Sequence, residues 1–308
     1  MILVILGHFS ELTSRHTFIV WLGFGFRMPM LIGLTGYLFN LDHAREMRLV
    51  TLVRHYHRLI IPWLVASIVY VVLVQPVDWR LPLELIVRPP FHLWFVPVML
   101  AFILIAWGCR LRRGQMLAIA VPASIAAMYA FGVGHGIEQY SPWMPDRRYF
   151  IYPIYFTYGL WVARRPPDPA KLPYAIIVSL IGLVWWSALY RQPAPEAEVA
   201  AELLLCMPLI GMLPRVRRIV VDFPSVANVG RDSLFFYLWH PLIFGLCAAA
   251  GLSGLPMLAV TVVLLALGWA GIARVESLRG ILGIRDPARS ARIGTISPDE
   301  ALTMRTAA

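Results

Sequence analysis

Apolar runs near the length of a membrane-crossing helix recur along this whole chain, and the short polar stretches between them carry mostly arginine. A helix needs about 20 apolar residues to cross a bilayer core. Only helices and closed barrels satisfy their backbone polar groups there. The runs predict ten helices, over residues 1–12, 22–40, 59–75, 93–109, 115–134, 149–163, 174–190, 199–213, 233–250 and 256–275. The expected fold class is all-α: a polytopic transmembrane helix bundle, with one integral membrane domain over 1–275. Residues 276–308 contain Asp286-Pro287 and Ile296-Ser297-Pro298 and end on small residues, which predicts a disordered cytoplasmic tail. No internal repeat of the kind that builds transporters is evident.

The polar stretches alternate in charge. Arg45, Arg48, Arg54 and Arg58 follow the second run, Arg110, Arg112 and Arg113 the fourth, Arg164, Arg165 and Lys171 the sixth, and Arg215, Arg217, Arg218 and Arg231 the eighth. With Arg274 at the end of the tenth run and five arginines after it, 20 of the 27 basic residues fall on one side. Positive charge accumulates on cytoplasmic loops, so ten crossings with both termini cytoplasmic are expected, in the inner (plasma) membrane.

Composition agrees. The 308 residues are 59% hydrophobic and 14% charged, against about 25% charged in soluble domains, and mean hydropathy is +0.69. The net charge of +10 suits an anionic leaflet; no nucleic-acid motif accompanies it, so nucleic acid is excluded as a partner and membrane lipids are expected. Cys109, Cys206 and Cys247 lie scattered in or beside apolar runs, which argues against a disulfide framework or a metal cluster. No metal-ligand spacing, glycine-rich phosphate loop or G-x-S-x-G elbow is present, and no resident cofactor is expected.

Ionisable residues at membrane depth are costly and mark functional sites by default. His8 stands inside the first apolar run. It reads either as a catalytic imidazole or as a packed histidine bonded to a neighbouring helix, and the first reading is favoured. Glu11 follows one turn later and shares its face, as an orienting group or an interfacial carboxylate. Arg27 opens the second helix and either snorkels to the headgroups or faces a cavity. Arg54 and Arg58 share a helix face at spacing i,i+4, as topology anchors or as forks for phosphate. His92 and Trp94 open the fourth helix, as part of an interfacial aromatic belt or as an acceptor-binding pair. His240 precedes Pro241 inside a helix, where proline frees a carbonyl; lining a cavity and satisfying the kink weigh evenly. Asn228, Asp232 and Ser233 read as helix caps.

Five motifs in order resemble the acyltransferase 3 family of integral membrane acyltransferases. They are Val4-Ile5-Leu6-Gly7-His8, Phe26-Arg27-Met28-Pro29-Met30 leading to Gly36-Tyr37-Leu38-Phe39, Arg58-Leu59-Ile60-Ile61-Pro62-Trp63, His92-Leu93-Trp94-Phe95-Val96, and Gly230-Arg231-Asp232-Ser233-Leu234-Phe235-Phe236-Tyr237-Leu238-Trp239-His240-Pro241-Leu242. The last is similar to the glycan O-acetylase branch. The resemblance implies an O-acetyltransferase that moves an acyl group, taken as acetyl, from cytoplasmic acyl-CoA (acetyl-CoA) to a hydroxyl of a cell-surface or lipid-linked glycan. His8 would be the base, and transfer would be direct or through an acyl-histidine. Arg58, with Arg54 beside it, would hold the acyl-CoA phosphates; the position where the family often has a further arginine is His55. His92, Trp94, Arg27 and His240 would lie on the acceptor or cavity side.

A glycan or anion transporter or flippase is the alternative, sharing the spans, histidines and charges but not the ordered motifs; an inactive scaffold is a third reading. The first helix reaches only roughly 18 Å of an approximately 30 Å core. The family's pattern has an arginine about a helix length before the histidine, upstream of Met1. Together these predict a natural protein that begins earlier.

Overall fold

The computed structural model describes residues 2–13, 17–74, 81–89, 92–133, 144–166, 168–216 and 229–285, and all regular structure among them is helical. The chain forms two compact units. The larger holds residues 2–54 and 76–222, the smaller residues 55–75 and the chain from 223 onward.

The larger unit contains α1 (Ile2–Thr13), α2 (Phe18–Phe24), α3 (Arg27–Leu38), α4 (Leu41–Glu46) and the start of α5 (Leu49–Val74). It continues with α6 (Leu81–Val87), α7 (Phe95–Gly108), α8 (Arg113–Phe131), α9 (Arg148–Ile151), α10 (Pro153–Val162), α11 (Leu172–Leu189), α12 (Pro195–Gly211) and α13 (Leu213–Val216). The smaller unit holds the rest of α5, then α14 (Ser233–Ala249), α15 (Gly254–Ile272) and α16 (Glu276–Leu282).

Among the described residues, six stretches are long and apolar enough to cross a membrane: Phe18–Leu38, Leu49–Leu73, Arg113–Phe131, Pro169–Leu189, Pro195–Val216 and Gly254–Ile272. Phe95–Gly108 and Ser233–Ala249 are apolar but shorter; α1 has 12 residues and α10 has 10. α11 turns Ile177, Leu180, Ile181 and Val184 outward, and α15 exposes Val262, Val263 and Leu267. Exposed apolar stripes on this scale fit lipid, not water.

Sequence and structure part at α5. The arginine-rich stretch before residue 59, read as a connection, is helical from Leu49. Hydropathy marks where membrane begins, not where helix begins, and arginine is a good helix former. The predicted second helix is broken after Phe24, so that Arg27 starts a new helix.

Close backbone packing fixes α3 against α10. A Cβ at Gly36 would lie 2.1 Å from the Phe156 carbonyl oxygen, and one at Gly159 would lie 2.1 Å from the Gly33 carbonyl oxygen. Small residues that let backbones meet are how helices associate in lipid. Between α2 and α11, Trp21 and Trp186 stack at 4.6 Å. Each indole N–H donates to the other's carbonyl, at 2.8 and 3.0 Å.

Contacts in the larger unit sort its connections into two sets. Asp42 pairs with Arg113 at 2.9 Å and with Arg164, while Arg45 donates to the carbonyls of Ala106, Cys109 and Leu111. These residues follow the second, fourth and sixth apolar runs or, for Ala106 and Cys109, end the fourth. The poorly charged connections meet one another instead. Asp146 N–H donates to Val87 at 2.8 Å, Arg88 Nε donates to Met144 at 2.9 Å, and Phe18 packs edge-on to Tyr190 at 5.5 Å.

In the smaller unit the expected disorder after 275 does not hold for residues 276–285. α16 ends on Gly283 in the left-handed region (φ 93°), whose N–H returns to Arg279, and Trp239 Nε1 donates to the Leu282 carbonyl at 3.2 Å. Asp232 stands at the N-cap of α14 but makes no side-chain cap. Its carboxylate accepts from Trp269 Nε1 at 2.9 Å and from the Arg285 amide at 3.0 Å, tying α15 and the segment after α16 to the start of α14.

Candidate active site

α1 carries His8 in the larger unit. Its imidazole meets that of His92 edge-to-face, with ring centroids 5.8 Å apart. His92 belongs to the turn leading into α7 and is buried. The first and fourth apolar runs therefore bring two imidazoles face to edge, a juxtaposition that neither motif shows alone.

Arg27, at the first position of α3, does not reach outward. Its guanidinium lies against α1, where a Cβ on Gly7 would fall 1.1 Å from Nη1 and 2.1 Å from Cζ. Its Nε passes Gly23, where a Cβ would lie 2.7 Å away, and its Cζ sits 5.5 Å from the Phe24 ring centroid. The cation is thus beside the turn that holds His8.

Trp94 is engaged rather than presented. It stacks on Tyr152 at 5.6 Å and carries the Arg148 guanidinium 4.4 Å from its ring centroid. Asp146 fixes that arginine through a 2.9 Å ion pair and also accepts from the Arg148 amide. The cluster continues inward: Tyr152 contacts Tyr155 at 6.2 Å, and the Tyr155 hydroxyl donates to Glu202 at 2.7 Å.

Glu198 and Glu202 were missed in the sequence reading. Both are buried one turn apart on α12. The signal was available, since carboxylates inside an apolar run are functional candidates by the same rule that singled out His8. Nearby, the Cys206 thiol donates to the Gly25 carbonyl at 3.1 Å.

The remaining candidates belong with α5 and the smaller unit. Arg54 and Arg58 stand one turn apart on α5, both exposed. His240 is fully buried on α14, and its Nδ1 lies 2.7 Å from the Phe236 carbonyl oxygen. A carbonyl only accepts, so Nδ1 carries the proton and the ring is tied to its own helix one turn back. Pro241 follows it inside the helix, and the Tyr70 hydroxyl donates to the nearby Leu238 carbonyl at 3.2 Å. Glu11 has no described side chain, and Asn228 lies outside the described residues. Among the described residues, no group of three His, Cys, Asp or Glu side chains is arranged to hold a metal ion.

Comparison with curated proteins and with solved structures returns no match. Against protein-family models, residues 1–275 of the 308 match the acyltransferase 3 model, described as an acyltransferase domain. With that match running through the His8 turn, the His92 turn and the Pro241 helix, the chain belongs to the acyltransferase 3 family.

Proposed function

We propose that the protein is a membrane O-acyltransferase that moves an acetyl group from acetyl-CoA to a hydroxyl of a cell-surface or lipid-linked glycan. The observation that carries this reading is the meeting of His8 and His92 at 5.8 Å within a family-matched domain. In the proposed reaction the His8 imidazole takes the proton of the sugar hydroxyl. The alkoxide oxygen attacks the thioester carbonyl, and the C–S bond breaks as the tetrahedral adduct collapses. The thiolate leaves and recovers the proton from the imidazolium, so the histidine ends as it began. His92 lies beside the acceptor side of this base. Arg58, with Arg54 one turn away, takes the phosphates of the donor, for which arginine forks are suited.

Ten crossings with both termini on the cytoplasmic side of the inner membrane complete the proposal. It is supported by the contacts that bring Asp42, Arg113 and Arg164 together. The arginine-rich face then meets the polyanionic donor in the cytoplasm. The branch of the family is proposed from the Gly230–Leu242 motif.

The test uses the purified full chain with acetyl-CoA and a panel of glycan and lipid-linked sugar acceptors. Free thiol and acetylated sugar should appear in equal amounts, the second identified by mass spectrometry. Movement of a glycan across sealed vesicles with no thiol release would replace the enzyme by a flippase.

A further inference from the structure

We infer that Arg27 is a positioning residue for His8: its guanidinium, seated in a slot opened by Gly7 and Gly23, fixes the turn of α1 that carries the imidazole. The inference rests on the acyl-transfer reading for what His8 does and adds what holds it in place.

The seat is steric. A Cβ at Gly7 would stand 1.1 Å from Arg27 Nη1, and one at Gly23 would stand 2.7 Å from Nε. Any side chain at Gly7 displaces the guanidinium, because no rearrangement of a few tenths of an ångström relieves a 1.1 Å approach. The Phe24 ring, 5.5 Å from Cζ, closes a further side of the slot.

The two ends of this strut differ in rigidity. Arg27 is the first residue of α3, and α3 is locked to α10 backbone to backbone through Gly36 and Gly159. α1 has only 12 residues, and Gly7 is the point at which it receives the strut. His8 follows Gly7 by one residue, about 100° further round the helix. A guanidinium pressed on one side of the turn therefore sets the direction of the imidazole on the next, where it meets His92 at 5.8 Å. General-base catalysis needs the imidazole within hydrogen-bond reach of the hydroxyl, and a misplacement of about 1 Å costs up to 10²-fold.

The experiment is a double-mutant cycle on the purified full chain, with Arg27→Gln, Gly7→Ala and the pair. Each single change is expected to lower kcat about 10–100-fold while KM for acetyl-CoA and for the sugar stays within about threefold. The pair should be no slower than the slower single variant, because both changes remove the same seat. Arg27→Lys, which keeps charge and reach but not the planar fork, should recover part of kcat. Full kcat in either single variant, or losses that multiply in the pair, would overturn the inference. Thermal unfolding supplies an arm that needs no turnover. Gly7→Ala should lower Tm in the Arg27 protein and leave it unchanged or raise it in the Arg27→Gln protein, where the better helix propensity of alanine meets no clash; an equal loss in both backgrounds also overturns the seat. A wild-type chain that transfers nothing removes the acyl-transfer reading alone, and the unfolding cycle still decides the seat.

Discussion

The two units use histidine in opposite ways. In the larger, His8 and His92 come from segments more than 80 residues apart and meet ring to ring, with a guanidinium beside the turn. In the smaller, His240 turns back on its own helix to the Phe236 carbonyl, and Asp232 binds an indole N–H and a backbone amide. The first arrangement leaves chemistry between side chains; the second uses polar groups to complete the main chain. His8 and His240 are both ionisable groups within apolar runs, so depth alone does not distinguish them. What each ring faces does.

The comparison breaks most sharply at His8. His8→Ala is expected to cost about 10²–10⁴-fold in acyl transfer with membrane expression unchanged; wild-type turnover in that variant would put it in the same class as His240. Asp232→Ala should act on stability instead. Two hydrogen bonds disappear, from Trp269 Nε1 and the Arg285 amide, a loss of about 2 kcal/mol, read as a lower thermal midpoint with kcat of the folded fraction retained. Arg58→Ala should raise the KM for acetyl-CoA about 10-fold or more, matching one lost charge-assisted contact of about 1.5–3 kcal/mol, with the acceptor KM unchanged. His240→Ala should lower stability by about 1 kcal/mol and change kcat less than tenfold. A collapse of kcat there with unaltered stability would erase the distinction between the units.

The smallest effect belongs to Asp42. Burial pushes its carboxyl up, but Arg113 and Arg164 outweigh that and hold it below the usual carboxylate range. A folded-state value below the unfolded one gives stability that is present above about pH 3.9 and lost as pH falls through the folded value. Because the side chain is 55% exposed, the contribution is small. The Tm difference between wild type and Asp42→Asn should be largest near neutrality and close below about pH 4.

The apolar runs and arginine stretches made the helical, membrane-type architecture legible, because lipid imposes helix on any long run of apolar residues. His8 was legible for the same reason. The Arg27 seat was not, since it depends on a glycine 20 residues away on another helix, and a glycine in a short apolar run carries no sign of what approaches it. The partners of Trp94 were not legible beside the His92-Leu93-Trp94 motif, because Tyr152 and Arg148 arrive from a different segment. Asp232 read as a cap because its position fits one; that its oxygens serve Trp269 and Arg285 is a tertiary fact. The order of residues 276–285 likewise arises from docking on α14 rather than from local composition.

Gly33, Gly36 and Gly159 bring α3 and α10 to backbone contact, with no cushion of side chains between them. Layers of interlocked side chains shear by hopping between rotamers, but two peptide surfaces in direct contact have no such intermediate steps. α3 and α10 therefore travel together as one stiff plank in any movement of the larger unit. The break after Phe24, where α2 gives way to α3, gives them no slack either: a Cβ at Gly25 would lie 2.4 Å from the Trp186 indole, and the Gly25 carbonyl accepts from Cys206.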